Sequence, residues 1–127
     1  MKKTVLGLFL FLSLILCGLK VNAVSFSEAV NQSKPSAILI YADWADDYQN
    51  VYNAFETVSQ TFGDRYNFVT INIADKEAKE FNKTFNIYPN LPYVLLFRDK
   101  GKMSRYLKKD CVLNTSCFTE KLTFFIN

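Results

Sequence analysis

Length, composition and charge already narrow the class of protein. The chain has 127 residues, half of them hydrophobic and 21% charged, which fits one folded domain and excludes a disordered tail, a collagen-like repeat and a charged coiled coil. The formal net charge of +3 comes from Lys2, Lys3 and Lys20, because residues 24–127 carry 12 basic and 12 acidic side chains. A neutral domain lacks the basic surface of a nucleic-acid binder. The absence of histidine excludes Ser-His-Asp and Cys-His catalytic pairs and every His-ligated metal site.

Residues 1–23 are predicted to be an export signal. Two lysines form a basic start, residues 5–17 form an apolar stretch of 13 residues, and Val21-Asn22-Ala23 places small residues at a cleavage site. The apolar stretch is shorter than the roughly 20 residues of a membrane-spanning helix, although an uncleaved anchor and a lipid on Cys17 stay open as alternatives. Cleavage leaves residues 24–127 as one domain, located in a bacterial periplasm, at the cell surface or in the medium, with a eukaryotic secretory pathway as the alternative. Membrane contact is expected only through the signal before it is cleaved.

Apolar spacing predicts eight elements in the order α-β-α-β-α-β-β-α. Helices are predicted at residues 25–32, 48–62, 76–85 and 115–125, and strands at residues 37–41, 67–73, 93–97 and 103–107. Continuously apolar strands are expected to be buried on both faces. Strands separated by helices are expected to run parallel through right-handed crossovers, and a turn at Gly101 adds an antiparallel edge. The predicted fold is therefore α/β, with a mixed four-stranded central sheet flanked by helices.

Two segments of the chain resemble the thioredoxin superfamily. Ala42-Asp43-Trp44 follows an apolar strand and precedes a long helix, and Asn90-Leu91-Pro92 opens the third strand. In that superfamily a similar Ala-x-Trp ends a strand, and an Ile-Pro-Thr type of segment opens the third core strand. The resemblance covers residues 25–126 and implies a thioredoxin-like domain in which the family's first strand has no counterpart. It also implies a cis peptide bond between Leu91 and Pro92, with a trans bond as the alternative.

The sequence departs from this superfamily at the positions that carry its chemistry. Redox-active members have Cys-x-x-Cys after the tryptophan, with the first cysteine at a helix N-terminus, whereas these positions here read Ala45-Asp46-Asp47-Tyr48. The family's buried acid corresponds to Leu39. Thiol–disulfide exchange requires an attacking thiolate, so the resemblance implies a redox-inactive loop and no enzyme activity there.

The predicted binding site is the surface between the Trp44 loop and the segment before the third strand. Its candidate residues are Trp44, Ala45, Asp46, Asp47, Tyr48, Tyr88, Leu91 and Pro92. The apolar members predict a patch around a strand edge that pairs with an extended peptide, while completion of the core by the same aromatic residues is the alternative. Carboxylates at Asp46 and Asp47 are favourable beside a helix N-terminus, and together with Asp43 they also match a weak cation or basic-partner site.

The two cysteines of the exported segment predict a disulfide. Cys111 and Cys117 lie six positions apart, and an exported chain with two such cysteines favours a bridge, with free thiols in a reducing compartment as the alternative. Two functions follow. The first is a peptide-binding or chaperone-like module without cofactor or metal, acting on an extended peptide or an envelope or secretory-pathway protein. The second is a thiol–disulfide oxidoreductase or redox-homeostasis protein that uses Cys111 and Cys117.

Charge is unevenly distributed along the domain. Residues 43–80 carry eight acidic and three basic side chains, whereas residues 83–109 carry seven basic side chains and one acidic one. Two oppositely charged surfaces predict an oriented contact with another protein. Scattered solvated charges are the alternative.

Overall fold

The computed structural model describes residues 25–85, 87 and 90–126. The predicted export signal and Tyr88 lie outside the described residues. In chain order the elements are α1 (Phe26–Val30), β1 (Ser36–Tyr41), α2 (Tyr48–Phe62), β2 (Asn67–Asn72), α3 (Lys76–Thr84), β3 (Tyr93–Arg98), β4 (Met103–Lys108), α4 (Lys109–Leu113) and α5 (Thr115–Phe125). None of these described helices combines the length and the apolar character needed to cross a membrane.

All eight predicted elements are present, with small differences at their ends. Sequence reasoning missed α4, which has five residues and is too short to show helical periodicity. It begins directly after β4, so the stretch between the fourth predicted strand and the last predicted helix is helical and carries Cys111.

The sheet has the order β2-β1-β3-β4. β1 runs parallel to β2 and antiparallel to β3, and β3 pairs antiparallel with β4, which confirms a mixed four-stranded sheet. The expectation that helix-separated strands run parallel is wrong for β3. Phe85 ends α3 in extended conformation, and the chain returns to the end of the sheet where β2 finished, since Tyr93 lies opposite Ile40.

Alternating side chains of the sheet form two apolar layers. On one face of the sheet, Ala37, Leu39, Val94 and Leu96 pack with Phe55, Val112, Phe118 and Leu122 of α2, α4 and α5. On the opposite face, Ile38, Ile40, Ile71, Leu95 and Phe97 pack with Phe26 and Phe81 of α1 and α3. The two edges and the loops at the ends of the strands therefore remain for contact with other molecules.

The first helix is fixed at its N-terminal end. Ser25 and Glu28 form a capping box at its N-terminus, as S-x-x-E spacing predicts. The Phe26 amide donates a 2.6 Å hydrogen bond to the Glu77 carboxylate, and its ring meets Phe81 edge-on at 4.9 Å between centroids. These contacts join α1 to α3 across one face of the sheet.

Candidate functional site

Trp44 lies on an exposed loop between β1 and α2. Its side chain is 73% exposed, whereas the neighbouring Ala45 is buried. Hydrogen bonds from the Ala45 amide to the Ala42 carbonyl at 3.0 Å, and from the Tyr48 amide to the Ala45 carbonyl at 3.3 Å, hold the loop. The alternative that Trp44 completes the core is therefore wrong, because the loop turns the indole towards solvent.

The segment before β3 lies across from this loop. The Leu91–Pro92 peptide bond is cis, as the resemblance implies. Pro92 is buried and Leu91 is half-buried, with Leu91 packed against the apolar layer that holds α1 and α3. Leu91 thus presents part of an apolar side chain beside the tryptophan loop.

Between these two segments lies a groove of about 490 Å³, here called the tryptophan groove. Its lining residues are Trp44, Ala45, Asp46, Asn90, Leu91, Tyr106, Lys108, Lys109 and Asp110. Four candidate residues from the sequence thus meet in one place. The lining residues from β4 and α4 were not predicted. The predicted hairpin could have indicated them, because its register puts Lys108 opposite Tyr93, next to the segment that opens β3.

Tyr48, Asp47 and Pro92 are not among the lining residues of the tryptophan groove. The Tyr48 ring stacks on Tyr41, with centroids 5.8 Å apart and planes 5° apart, and Tyr41 meets Tyr52 edge-on at 5.5 Å. Tyr48 therefore packs on the side of α2. Burial, followed by the neighbouring Tyr52, raises the pKa of the Tyr41 phenol.

Asp47 links the start of α2 to α4. It is the N-cap residue with a left-handed backbone (φ 58°) and forms no side-chain capping hydrogen bond. Its carboxylate instead lies 3.9 Å from the Lys109 ammonium. The positive charge of Lys109 at the groove wall is thereby partly neutralised.

The three acids of the loop do not form a cation site. The Asp43 carboxylate accepts a 3.2 Å hydrogen bond from the Asn72 side chain, which turns it towards β2, while Asp47 faces Lys109. Across the part of the chain that the structure describes, no cluster of three or more Asp, Glu, Cys or His side chains is arranged to hold a metal. The alternative of a divalent-cation site is not supported.

The predicted disulfide is confirmed. The Cys111 and Cys117 sulfurs are bonded at 2.05 Å, with Cα atoms 5.2 Å apart, and both residues are partly exposed. Cys111 belongs to α4 and Cys117 to the first turn of α5. Asn114 caps α5 by accepting a 3.0 Å hydrogen bond from the Cys117 amide, so the bridge and the cap fix the same corner.

A second groove, here called the disulfide groove, adjoins the first and has a volume of about 520 Å³. Its lining residues are Tyr106, Leu107, Lys108, Asp110, Cys111, Asn114, Cys117 and Lys121. Tyr106, Lys108 and Asp110 line both grooves. The two grooves therefore adjoin at the end of β4, between the Trp44 loop and the disulfide.

Solved structures decide the fold. A thioredoxin of Malassezia sympodialis superposes with a TM-score of 0.61 at 17% identity, covering 79% of this chain and 84% of the other. Thioredoxin f2 of Chlamydomonas reinhardtii gives 0.54 at 23% identity, covering 73% and 87%. The chain has a thioredoxin-like fold. At these identities the likeness shows the fold alone.

Sequence comparison agrees with the thioredoxin-like fold. A chloroplast thioredoxin-like protein of Oryza sativa subsp. japonica is 33% identical over 83 residues, which cover 65% of this chain and 31% of that protein. The chain therefore spans about a third of that relative's length. No family model matches the sequence. A thioredoxin-like fold is compatible with a thiol-redox protein and with a binding module. The choice between these two functions depends on the residues of the two grooves.

Proposed function

We propose that this thioredoxin-like chain is a peptide- or protein-binding module that uses the tryptophan groove without dithiol chemistry. The observation that carries the proposal is the 73% exposure of Trp44 beside Leu91 in one groove. A large aromatic side chain gains much by burial against a partner, and tryptophan is enriched among residues that dominate binding energy.

The chemistry of the loop supports binding over catalysis. Ala45 occupies the position of the family's attacking cysteine, and no cysteine occurs between Cys17 and Cys111. A methyl group cannot attack a disulfide, since exchange needs a thiolate. The groove can hold an extended segment in a chaperone-like way and release it unchanged.

The partner proposed from this surface is an extended peptide or a protein of the envelope or secretory pathway. The basic, apolar and small-residue pattern of residues 1–23 supports export to a periplasm, the cell surface or the medium. The equal numbers of acidic and basic side chains in residues 24–127 argue against nucleic acid as the partner.

A peptide is first selected from a displayed random library, with residues 24–127 as the bait. The test is the affinity of the Trp44→Ala variant for this peptide. We expect a loss of about 2 kcal/mol or more, about thirtyfold in dissociation constant, with an unchanged unfolding midpoint because the side chain is exposed. Phe124→Ala is the matched control: Phe124 is 65% exposed but lies on α5, outside both grooves. Full affinity in folded Trp44→Ala would overturn the proposal.

A second candidate function is thiol–disulfide exchange at Cys111–Cys117. It is favoured by one observation, namely that the partly exposed bridge lines a groove open to a partner. An insulin-reduction assay with the wild-type chain and Cys111→Ser separates the two candidates. Turnover that disappears in the variant would support exchange, and no turnover in either protein would reject it.

A further inference from the structure

We infer that the bound peptide continues from the tryptophan groove into the disulfide groove and carries acidic side chains in that second part. This inference rests on the proposed function, since it assumes that the tryptophan groove holds a peptide. It adds the direction in which the peptide extends and the chemical class of its flanking residues.

The direction follows from the shared walls of the two grooves. Tyr106, Lys108 and Asp110 line both, so a peptide that leaves the Trp44 end past these residues reaches the groove lined by Cys117 and Lys121. Within the described residues, β4 is the last strand of the sheet and pairs with β3 alone. Its C-terminal part therefore borders the groove, where an extended peptide can lie alongside a strand edge.

The acidic character follows from the charges of the disulfide groove. Lys108 and Lys121 line it, against the single carboxylate of Asp110. In the part of the chain that the structure describes, neither lysine has a carboxylate within 4.0 Å. Lys109 differs, because its ammonium lies 3.9 Å from Asp47. The positive charge that is left for a partner thus lies on Lys108, at the wall that the two grooves share, and on Lys121, in the disulfide groove.

One further side chain adds to this positive potential. Arg105 lies two residues before Leu107 on β4, and therefore on the same side of the strand, and it is not paired with an acid within 4.0 Å in the described structure. Complementary charge on the partner would speed encounter and fix which end of the peptide lies in which groove.

The probes are short synthetic peptides with the same aromatic-aliphatic pair, followed by a run of glutamate, glutamine or lysine. By fluorescence polarisation at low salt we expect the glutamate peptide to bind about three- to tenfold more tightly than the glutamine peptide, as for a few exposed ion pairs, and the lysine peptide to bind most weakly. The preference is expected to shrink at high salt.

Variants locate the preference. Lys121→Gln is expected to reduce the glutamate preference and to leave the affinity for the glutamine peptide unchanged, because Lys121 lines the disulfide groove and not the tryptophan groove. The matched control is Lys79→Gln, an exposed lysine of α3 on the other face of the sheet, which is expected to change nothing.

The outcomes separate the inference from the proposed function. Equal, Trp44-dependent binding of all three peptides would overturn the inference and leave the proposed function intact. Absence of Trp44-dependent binding by all three would overturn both. The last outcome concerns phosphatidylglycerol vesicles and a thymidine oligonucleotide. If either binds as tightly as the glutamate peptide, and if this binding depends on Lys121, the conclusion that a peptide occupies the groove is overturned.

Discussion

The hydroxyl of Tyr66 donates a hydrogen bond of 2.7 Å to the backbone carbonyl of Leu122. Tyr66 is almost completely buried and packs between Phe62 and Phe68. The bond joins the residue just before β2 to α5. The loop between α2 and β2 is thereby tied to the C-terminal helix through one phenol group.

This buried phenol predicts a loss of stability at alkaline pH. Burial raises the pKa of Tyr66 above its usual value of about 10, more than the nearby Arg65 and Arg98 lower it. Below about pH 10 the phenol is protonated in both the folded and the unfolded chain, so its contribution to stability is complete. Above that pH the unfolded chain loses the proton first, and the free energy of unfolding falls by up to about 1.36 kcal/mol per pH unit for this group.

Urea unfolding of Tyr66→Phe checks this prediction. At neutral pH the variant is expected to lose about 1 kcal/mol of stability, because the hydrogen bond to Leu122 is missing. Above about pH 10 its stability is expected to decline less steeply than that of the wild type. Identical alkaline slopes in the two proteins would contradict the assignment.

Gly101 is predicted to be irreplaceable in the β3–β4 turn. Its φ is +85°, and a Cβ atom there would lie 2.7 Å from the Cγ1 atom of Val30. Gly101→Ala is expected to lower the free energy of unfolding by about 1–2 kcal/mol from the left-handed backbone, with a further loss from the clash. Combining it with Val30→Ala relieves the clash, so the two losses measured by urea unfolding are expected to sum to more than that of the double variant.

The disulfide is predicted to stabilise the corner between α4 and α5. A bridge across a sequence separation of 6 restricts a short loop of the unfolded chain, worth about 2 kcal/mol in the chain-entropy model. Replacing both Cys111 and Cys117 with serine is expected to cost that amount. Hydrogen exchange should accelerate most in Lys109–Leu113, because a five-residue helix is not stable alone. An unchanged urea midpoint would refute the prediction.

The ion pair between Asp47 and Lys109 is predicted to contribute little to stability. Its side chains are 50% and 33% exposed, and exposed ion pairs are typically worth about 0–1 kcal/mol. A double-mutant cycle with Asp47→Asn and Lys109→Gln measures the coupling energy by urea unfolding. A coupling well above about 1 kcal/mol would show that this pair is a structural link.

Local structure could be predicted because burial leaves a periodic signal in the sequence. The bounds of α2 were predicted from its apolar face, on which Val51, Phe55, Val58 and Phe62 are buried. The strands β1 and β3 were predicted from their uninterrupted apolar runs. The direction of β3 could not be obtained in this way. It depends on how the chain returns after α3, which the strand's own residues do not record.

The candidate site was predictable where it depends on neighbouring sequence. A tryptophan in the loop after one strand and a proline directly before another are recognisable motifs in the sequence. These motifs correctly placed Trp44 and Leu91 beside each other.

 The walls formed by Tyr106 and Lys108 come from a strand far along the chain, and only the sheet register brings them to the groove. Tyr48 lies close to Trp44 in the sequence, yet its ring packs on Tyr41 instead of lining the groove. The direction of this ring is set by packing and is not visible in the sequence.

The position of β1 between β2 and β3 has a consequence for incomplete chains. β1 pairs with β2, which follows soon after it, and with β3, where Ile38 lies opposite Leu95. A nascent or truncated chain that ends after α3 lacks β3, so one hydrogen-bonding edge of a strand with fully buried Ile38, Leu39 and Ile40 is left uncovered. Such an apolar edge pairs readily with other chains and aggregates. Pairing of β1 along both of its edges therefore requires residues 93–97.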